Sequence, residues 1–335
     1  MSIPEATPAE VTSTEDSTAL VAEALRYDST VSRFLVHRTS VAEVFVTDSA
    51  AVGDDTFLVA AQLPRGHLIG ENAPLYDFTL LVEVVRQAGV LVAHRHLDID
   101  LGSAFIFRSL NLHTVGLANL MIGSNPAEVL VKMRVDARRN RAGRIQGFTF
   151  SGDVSLDGEV AMAGDGTLLI LSQRAYRTMR TARPTEPDPS LPRFTPAAPA
   201  TVGRQEARNV VITDPVLTMP GKVFALIAMD PSHPHMFDHP LDHVPGHLQM
   251  EAARQLAISS VARLHGVSPA TLTVASIATE FTAFAELDQV TELRASVEGF
   301  RRHDELPTLT VPVAVDVLQG GTVTTAIRLD VVQWT

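Results

Sequence analysis

The chain of 335 residues contains no cysteine. That absence excludes disulfides, zinc-thiolate sites, thiolate nucleophiles and enzyme-bound thioesters together, so acyl chemistry here must proceed without sulfur from the protein. Lysine is nearly absent: Lys132 and Lys222 stand alone, and 25 of the 27 basic residues are arginine. The formal net charge of -11 argues against general nucleic-acid or anionic-membrane binding, because both draw most of their affinity from a basic surface. No run approaches the ~18 apolar residues that span a bilayer. Residues 1–27 carry five acids before their first basic residue, Arg26, and no apolar core. That is not the pattern of a secretory signal, and the expected location is the cytoplasm.

What is present is an ordinary globular composition, 45% apolar and 19% charged, in a length that suits two domains of about 100 to 200 residues. The two are copies of one unit. Arg38 to Asp48, RTSVAEVFVTD, returns 166 residues on as RQEARNVVITD, Arg204 to Asp214. FLVAAQLP from Phe57 returns at 167 residues as FALIAMDP, and LLVEVVRQAGVLVAH from Leu80 returns at 168 as LQMEAARQLAISSVA. Three blocks in one order at nearly constant offset indicate a tandem duplication. Between the copies, residues 181–201 hold six prolines, which break helices and sheets and favour an extended linker. The expected division is a flexible arm over 1–27, a first domain over 28–180, the linker over 181–201 and a second domain over 202–335.

Each copy reads as one or two strands, a loop with Pro and His, one long helix, and several strands. Leu80, Leu81, Val84, Val85, Ala88, Leu91 and Val92 recur at helical spacing, and the second helix is expected from about Gly246 to His265. Strand-like runs follow, including EVAMAGDGTLLILSQRAY, which ends at Tyr176. One helix against a long antiparallel sheet is an α+β fold.

On the helices, Glu83, Arg86 and Gln87 stand at i, i+3 and i+4, as do Glu251, Arg254 and Gln255. One reading is an exposed face with a Glu–Arg pair worth a few tenths of a kcal/mol. The other is functional: a Glu against an apolar wall has a raised pKa, suited to general acid-base work. Before the second helix, residues 233–247 hold five of the chain's 12 histidines: His233, His235, His239, His243 and His247. A metal site would use His239 and His243 at i, i+4, but Pro240 and Pro245 argue against the helix this needs, and no metal is expected. The alternative is a shaped loop that presents one or two imidazoles and enters the helix at Pro245–Gly246, where free amides suit an oxyanion or phosphate. His233 and His247 also read as incidental loop residues. The first copy places Arg65 and His67 correspondingly. Lys132 to Arg144 holds six basic residues against one acid. It reads either as a solvated hairpin tip or as a docking patch for an acidic carrier protein.

FDHPLDHVPGHLQMEAARQ, with AEVFVTD, AQLPRGH and LLVEVVRQAG, resembles the A-factor biosynthesis proteins of actinobacterial signalling over about residues 31–330. PGHLQMEA also resembles the helix entry of β-hydroxyacyl-carrier-protein dehydratases, which are hotdog folds. The resemblance implies a tandem, double hotdog, each half a long central helix wrapped by an antiparallel β-sheet, packed as a pseudo-dimer. It implies transfer of a β-ketoacyl group from acyl carrier protein or CoA to dihydroxyacetone phosphate, followed by closure to a butenolide precursor of γ-butyrolactone autoregulators. No cofactor is implied. The catalytic candidates are Glu83, Glu251, Arg254, His235 and His239, with a buried Glu as base and Arg254 on the phosphate. The substrate-binding candidates are Arg86, Gln87, Gln255, Arg65, His67, Asp242, His243 and Gly246. Leu63 and Tyr76–Asp77–Phe78 depart from the usual family pattern. Alternative readings are a hotdog dehydratase or thioesterase, and a non-catalytic acyl- or lactone-binding regulator.

Overall fold

The computed structural model describes residues 14–181, 183, 188 and 190–334. Helix α1 (Thr14–Glu23) precedes a hairpin of β1 (Val46–Ala51) and β2 (Thr56–Leu63). Helix α2 (Phe78–His96) is followed by β3 (Ala104–Thr114), β4 (Ala127–Arg139), β5 (Ile145–Leu156), β6 (Glu159–Leu171) and a short helix α3 (Gln173–Arg180). The second half repeats the plan with β7 (Val216–Met219), β8 (Lys222–Leu226), α4 (Gly246–His265), β9 (Leu272–Phe281) and β10 (Glu292–Val297). It ends with β11 (Arg301–Arg302), β12 (Leu309–Gln319) and β13 (Thr322–Gln333).

One antiparallel sheet runs β1-β2-β4-β5-β6-β3-β9-β13-β12-β10-β8-β7, with β11 beside β12. The order is a palindrome of the repeat. Its centre is the β3–β9 pair, Ser109 opposite Glu280 through His113 opposite Ser276, so the two halves share a continuous sheet. Strands such as β4 alternate buried and exposed residues, the mark of a sheet with one face on the core. Each long helix lies in the concave face. Every residue of α2 from Phe78 to His94 except Arg86 is buried, and so is every residue of α4 from Leu248 to Ala262. A helix covered on nearly all sides is mostly apolar, and the polar residues these two bury are those of their ExxRQ triplets other than Arg86, with Thr79 and His94 in α2 and Gln249, Ser259 and Ser260 in α4.

The sequence reading fails at the end of β6. Residues 173–176 do not continue the strand: β6 stops at Leu171, and the Ser172 hydroxyl accepts from Ala175 N, capping α3. The expected arm lies outside the described residues up to 13, but Thr14–Glu23 is helical, and Leu25 packs with Leu58 and Ala60 on the back of β2.

Candidate active site between the two halves

The repeated ExxRQ triplets are not surface faces: all six residues are buried except Arg86, which is half-buried. Glu83 is fully buried and accepts from Arg38 Nε at 2.8 Å, Arg86 Nε at 2.8 Å and Gln87 Nε2 at 2.6 Å. Glu251 is held the same way by Arg204 Nε at 2.9 Å, Arg254 Nε at 2.8 Å and Gln255 Nε2 at 2.5 Å. The glutamines, expected among the substrate-binding residues, do not line the cavity described below and tie each helix to the chain entering the sheet. Gln87 donates to Glu43 O and accepts from Phe45 N; Gln255 donates to Asn209 O and accepts from Val211 N. Arg38 and Arg204 are the first residues of the first repeat block, a signal that could have singled them out. Each bridges the halves: Arg38 Nη1 donates to His235 O, and Arg204 Nη1 donates to Ile69 O.

These arginines overturn the expectation of a raised carboxyl pKa. Burial alone pushes Glu83 up, but Arg38 and Arg86 more than reverse it, and the group lies well below the ordinary range. Glu251 is lowered likewise, against burial, by Arg204 and Arg254. A carboxylate so held is a poor proton acceptor and a good anchor for arginine.

The two clusters differ at their helix entries. Asp77 caps α2, accepting from Thr79 N, and its other oxygen accepts from Arg204 Nη1 at 2.6 Å. Burial raises the Asp77 pKa, but Arg204 and Arg254 bring it down to about 2, so the Glu251 cluster contains a second buried anion. At α4 the capping position is Pro245, with no side-chain cap, and His247 stands where α2 has Thr79. The first-turn amides of α4 are therefore left for other acceptors.

A cavity of about 400 Å³ runs to this open entry. Its walls are mostly apolar, with Val82, Phe105, Phe107, Leu110, Met250 and Phe281 among them, and its polar groups include Arg86, His243 and His247. Gly246 also lines it; a Cβ there would stand 3.1 Å from the Phe281 ring. Arg86 reaches this space, whereas Arg254, the expected phosphate ligand, is 5% exposed and on the other cluster.

The profile of the A-factor biosynthesis hotdog domain matches residues 21–172 and again 185–332. The chain belongs to that family. Among curated relatives, the 2-oxo-3-(phosphooxy)propyl 3-oxoalkanoate synthase of Streptomyces virginiae is 33% identical over 78% of this chain and 85% of its own. The protein of the same name from Streptomyces coelicolor is 32% identical over 78% and 81%. Among solved structures, the pyran synthase domain from module nine of the sorangicin pathway superposes with a TM-score of 0.51, at 15% identity, over 87% of this chain and 98% of that one. That likeness is one of fold, the double hotdog.

In this A-factor biosynthesis protein the histidine loop carries more than its sequence suggested. His247 is largely covered, its Nδ1 lies 3.8 Å from Glu83 Oε2, and both ring nitrogens are buried with no hydrogen-bond partner among the described residues. Burial, then neighbouring His235, holds its pKa well below the ordinary value, so the ring is neutral with a free lone pair. His235 packs edge-on at 4.9 Å, its Nδ1 2.5 Å from Glu43 Oε2. His67 joins from the first half, 3.5 Å from the same carboxylate oxygen. Glu43, His67 and His235 place three ligand atoms within 4.8 Å of one another and are the described group that could hold a metal; His239 and His243, the pair whose spacing was weighed and set aside, are not in it. The 2.5 Å contact is that of a hydrogen bond. His233, read as incidental, is buried and bonds Asn209 Oδ1 through Nε2.

The remaining candidates separate. His239 is part-exposed beside Asp238 and near Arg38 and Arg86. Asp242 is not among the residues lining the cavity: it accepts from Tyr176 Oη and Arg180 Nε and lies 2.7 Å from Nδ1 of His243 on the channel wall. Arg65 is exposed and joins no ion pair among the described residues. No described helix is long and apolar enough to cross a membrane.

Proposed function

We propose that the chain transfers a 3-oxoacyl group from a thioester to the free hydroxyl of dihydroxyacetone phosphate at the α2–α4 junction, with His247 as the base. The chain is an acyltransferase of this type, as the names of its curated relatives support over a thioesterase. The observation that carries the mechanism is His247, a neutral imidazole whose buried ring nitrogens make no hydrogen bond among the described residues, set on the acyl-sized cavity beside an uncapped helix N-terminus.

The acyl chain lies in the apolar cavity, with its thioester carbonyl toward the first amides of α4. His247 takes the proton of the acceptor hydroxyl as the oxygen attacks, and Glu83 stabilises the imidazolium. The α4 amides stabilise the oxyanion. The C–S bond breaks, and the proton returns from His247 to the leaving thiolate. Arg86, held by Glu83, binds the phosphate. The ester keeps an acidified methylene between two carbonyls and a ketone on the acceptor side. Carbon–carbon bond formation between them with loss of water closes the five-membered butenolide. His235, held by Glu43, positions His247 by packing against it. The same reading divides the chain at the linker over 181–201 and sets the reaction in the cytoplasm, where acyl thioesters and triose phosphates occur together.

Mass spectrometry of products from a 3-oxoacyl thioester with and without dihydroxyacetone phosphate tests this. The phosphorylated ester or butenolide is expected only with the acceptor. Equal thiol release in both reactions would establish a thioesterase instead.

A further inference from the structure

From the arginines around the channel mouth, we propose that this face docks an acidic acyl carrier protein that delivers the donor acyl chain. The inference rests on the acyl-transfer reading and assigns it a donor and an entrance.

The sheet register places the basic segment at the channel. Phe105 and Phe107, on the cavity wall, sit opposite Ile170 and Leu168 of β6; Leu169 pairs with Gly147 of β5, and Gly147 with Arg138 of β4. The β4–β5 tip, with Arg138, Arg139, Arg141 and Arg144, is therefore at the same end of the sheet as the mouth, about three strand spacings or ~14 Å across. Two further elements converge there. Arg108 lies on the rim from β3, and α3, which starts two residues beyond the end of β6, exposes Arg174 and Arg177. Met179 of α3 is 49% exposed and also lines the cavity, an apolar contact where a thioester arm would enter.

These cations are uncompensated. Arg108, Arg138, Arg141, Arg144, Arg174 and Arg177 are exposed and form no ion pair among the described residues. Of the acids nearby, Asp242 and Glu286 are both held by Arg180, and Glu280 is exposed opposite Ser109. In a chain of net charge -11, a cationic face around the channel mouth steers an acidic partner toward it.

The test uses full-length protein with Arg138, Arg141 and Arg144 changed together to Glu, and separately Arg174→Glu with Arg177→Glu. Three donors carry the same 3-oxooctanoyl group: an acidic type II acyl carrier protein, CoA and N-acetylcysteamine. Docking predicts that KM for the carrier-bound donor rises about tenfold or more, with strong salt dependence, while kcat and KM for the N-acetylcysteamine thioester stay within about twofold. Equal KM changes for all three donors, no change for the carrier, or a rise as large for CoA would each overturn it. Calorimetric binding of the carrier protein, independent of turnover, separates the two readings. An inactive wild type whose carrier binding is lost in the variants refutes acyl transfer but keeps the docking surface, whereas an active enzyme with unchanged binding refutes docking alone.

Discussion

Arg204 Nη1 lies 2.6 Å from the Asp77 carboxylate, across the boundary between the two halves, and the other cluster has no equivalent because Pro245 occupies the position of Asp77. This contact makes the two half-sites unequal. One is a closed knot of two carboxylates and two arginines; the other keeps an uncapped helix entry on a cavity.

The knot is a stability element. Arg204→Ala leaves Asp77 and Glu251 buried without their shared cation and should cost about 3–5 kcal/mol in urea unfolding. Adding Asp77→Asn removes one anion while keeping a competent helix cap, and should recover part of that loss. Simple additivity of the two changes would show that the carboxylates do not act as a unit.

At the open site the dependence is catalytic. His247→Gln should lower kcat by about 10²–10⁴-fold, the usual worth of a general base. Its melting temperature should not fall, because the imidazole it removes makes no hydrogen bond among the described residues. Wild-type kcat in this variant would move the base elsewhere.

The pH profile follows from the burial of His247. Its pKa lies well below the ordinary imidazole value of about 6.5, so its basic form persists into mildly acidic solution. The acidic limb of kcat/KM should fall below pH 6.5. A limb centred near that value or above it would contradict the assignment.

Stability should respond to the same range for a different reason. Burial depresses both His37 and His233 to about 4, so between about pH 4 and pH 6.5 the unfolded chain binds protons that the folded chain refuses. Stability is therefore full above the unfolded value and declines as pH falls through that window. His37→Gln together with His233→Gln should flatten the slope of unfolding free energy there; an unaltered slope would show that these rings carry none of it.

The cavity sets acyl length. Met250 is 6% exposed and lines it, and Met250→Trp should raise KM steeply for long 3-oxoacyl chains while sparing short ones. A uniform change across chain lengths would mean that the acyl group lies elsewhere.

The duplication, the α+β class and both long helices were legible in the chain, because repeat blocks and the 3.6-residue period are local properties. The second helix begins at Gly246 and ends at His265, where its pattern begins and ends. The ExxRQ triplets were legible as special but not in their role. A helical spacing reports which side chains share a face, and not that Arg38 and Arg204 arrive from 45 and 47 residues away to neutralise that face. Burial without those arginines would raise a glutamate's pKa, and burial with them lowers it. Likewise, His247 is one of five loop histidines until the second half packs it 3.8 Å from a carboxylate of the first. Composition and period determined the elements; only the docking of one copy against the other decided which charges meet, because electrostatic effects depend on distance through space and on exclusion of water.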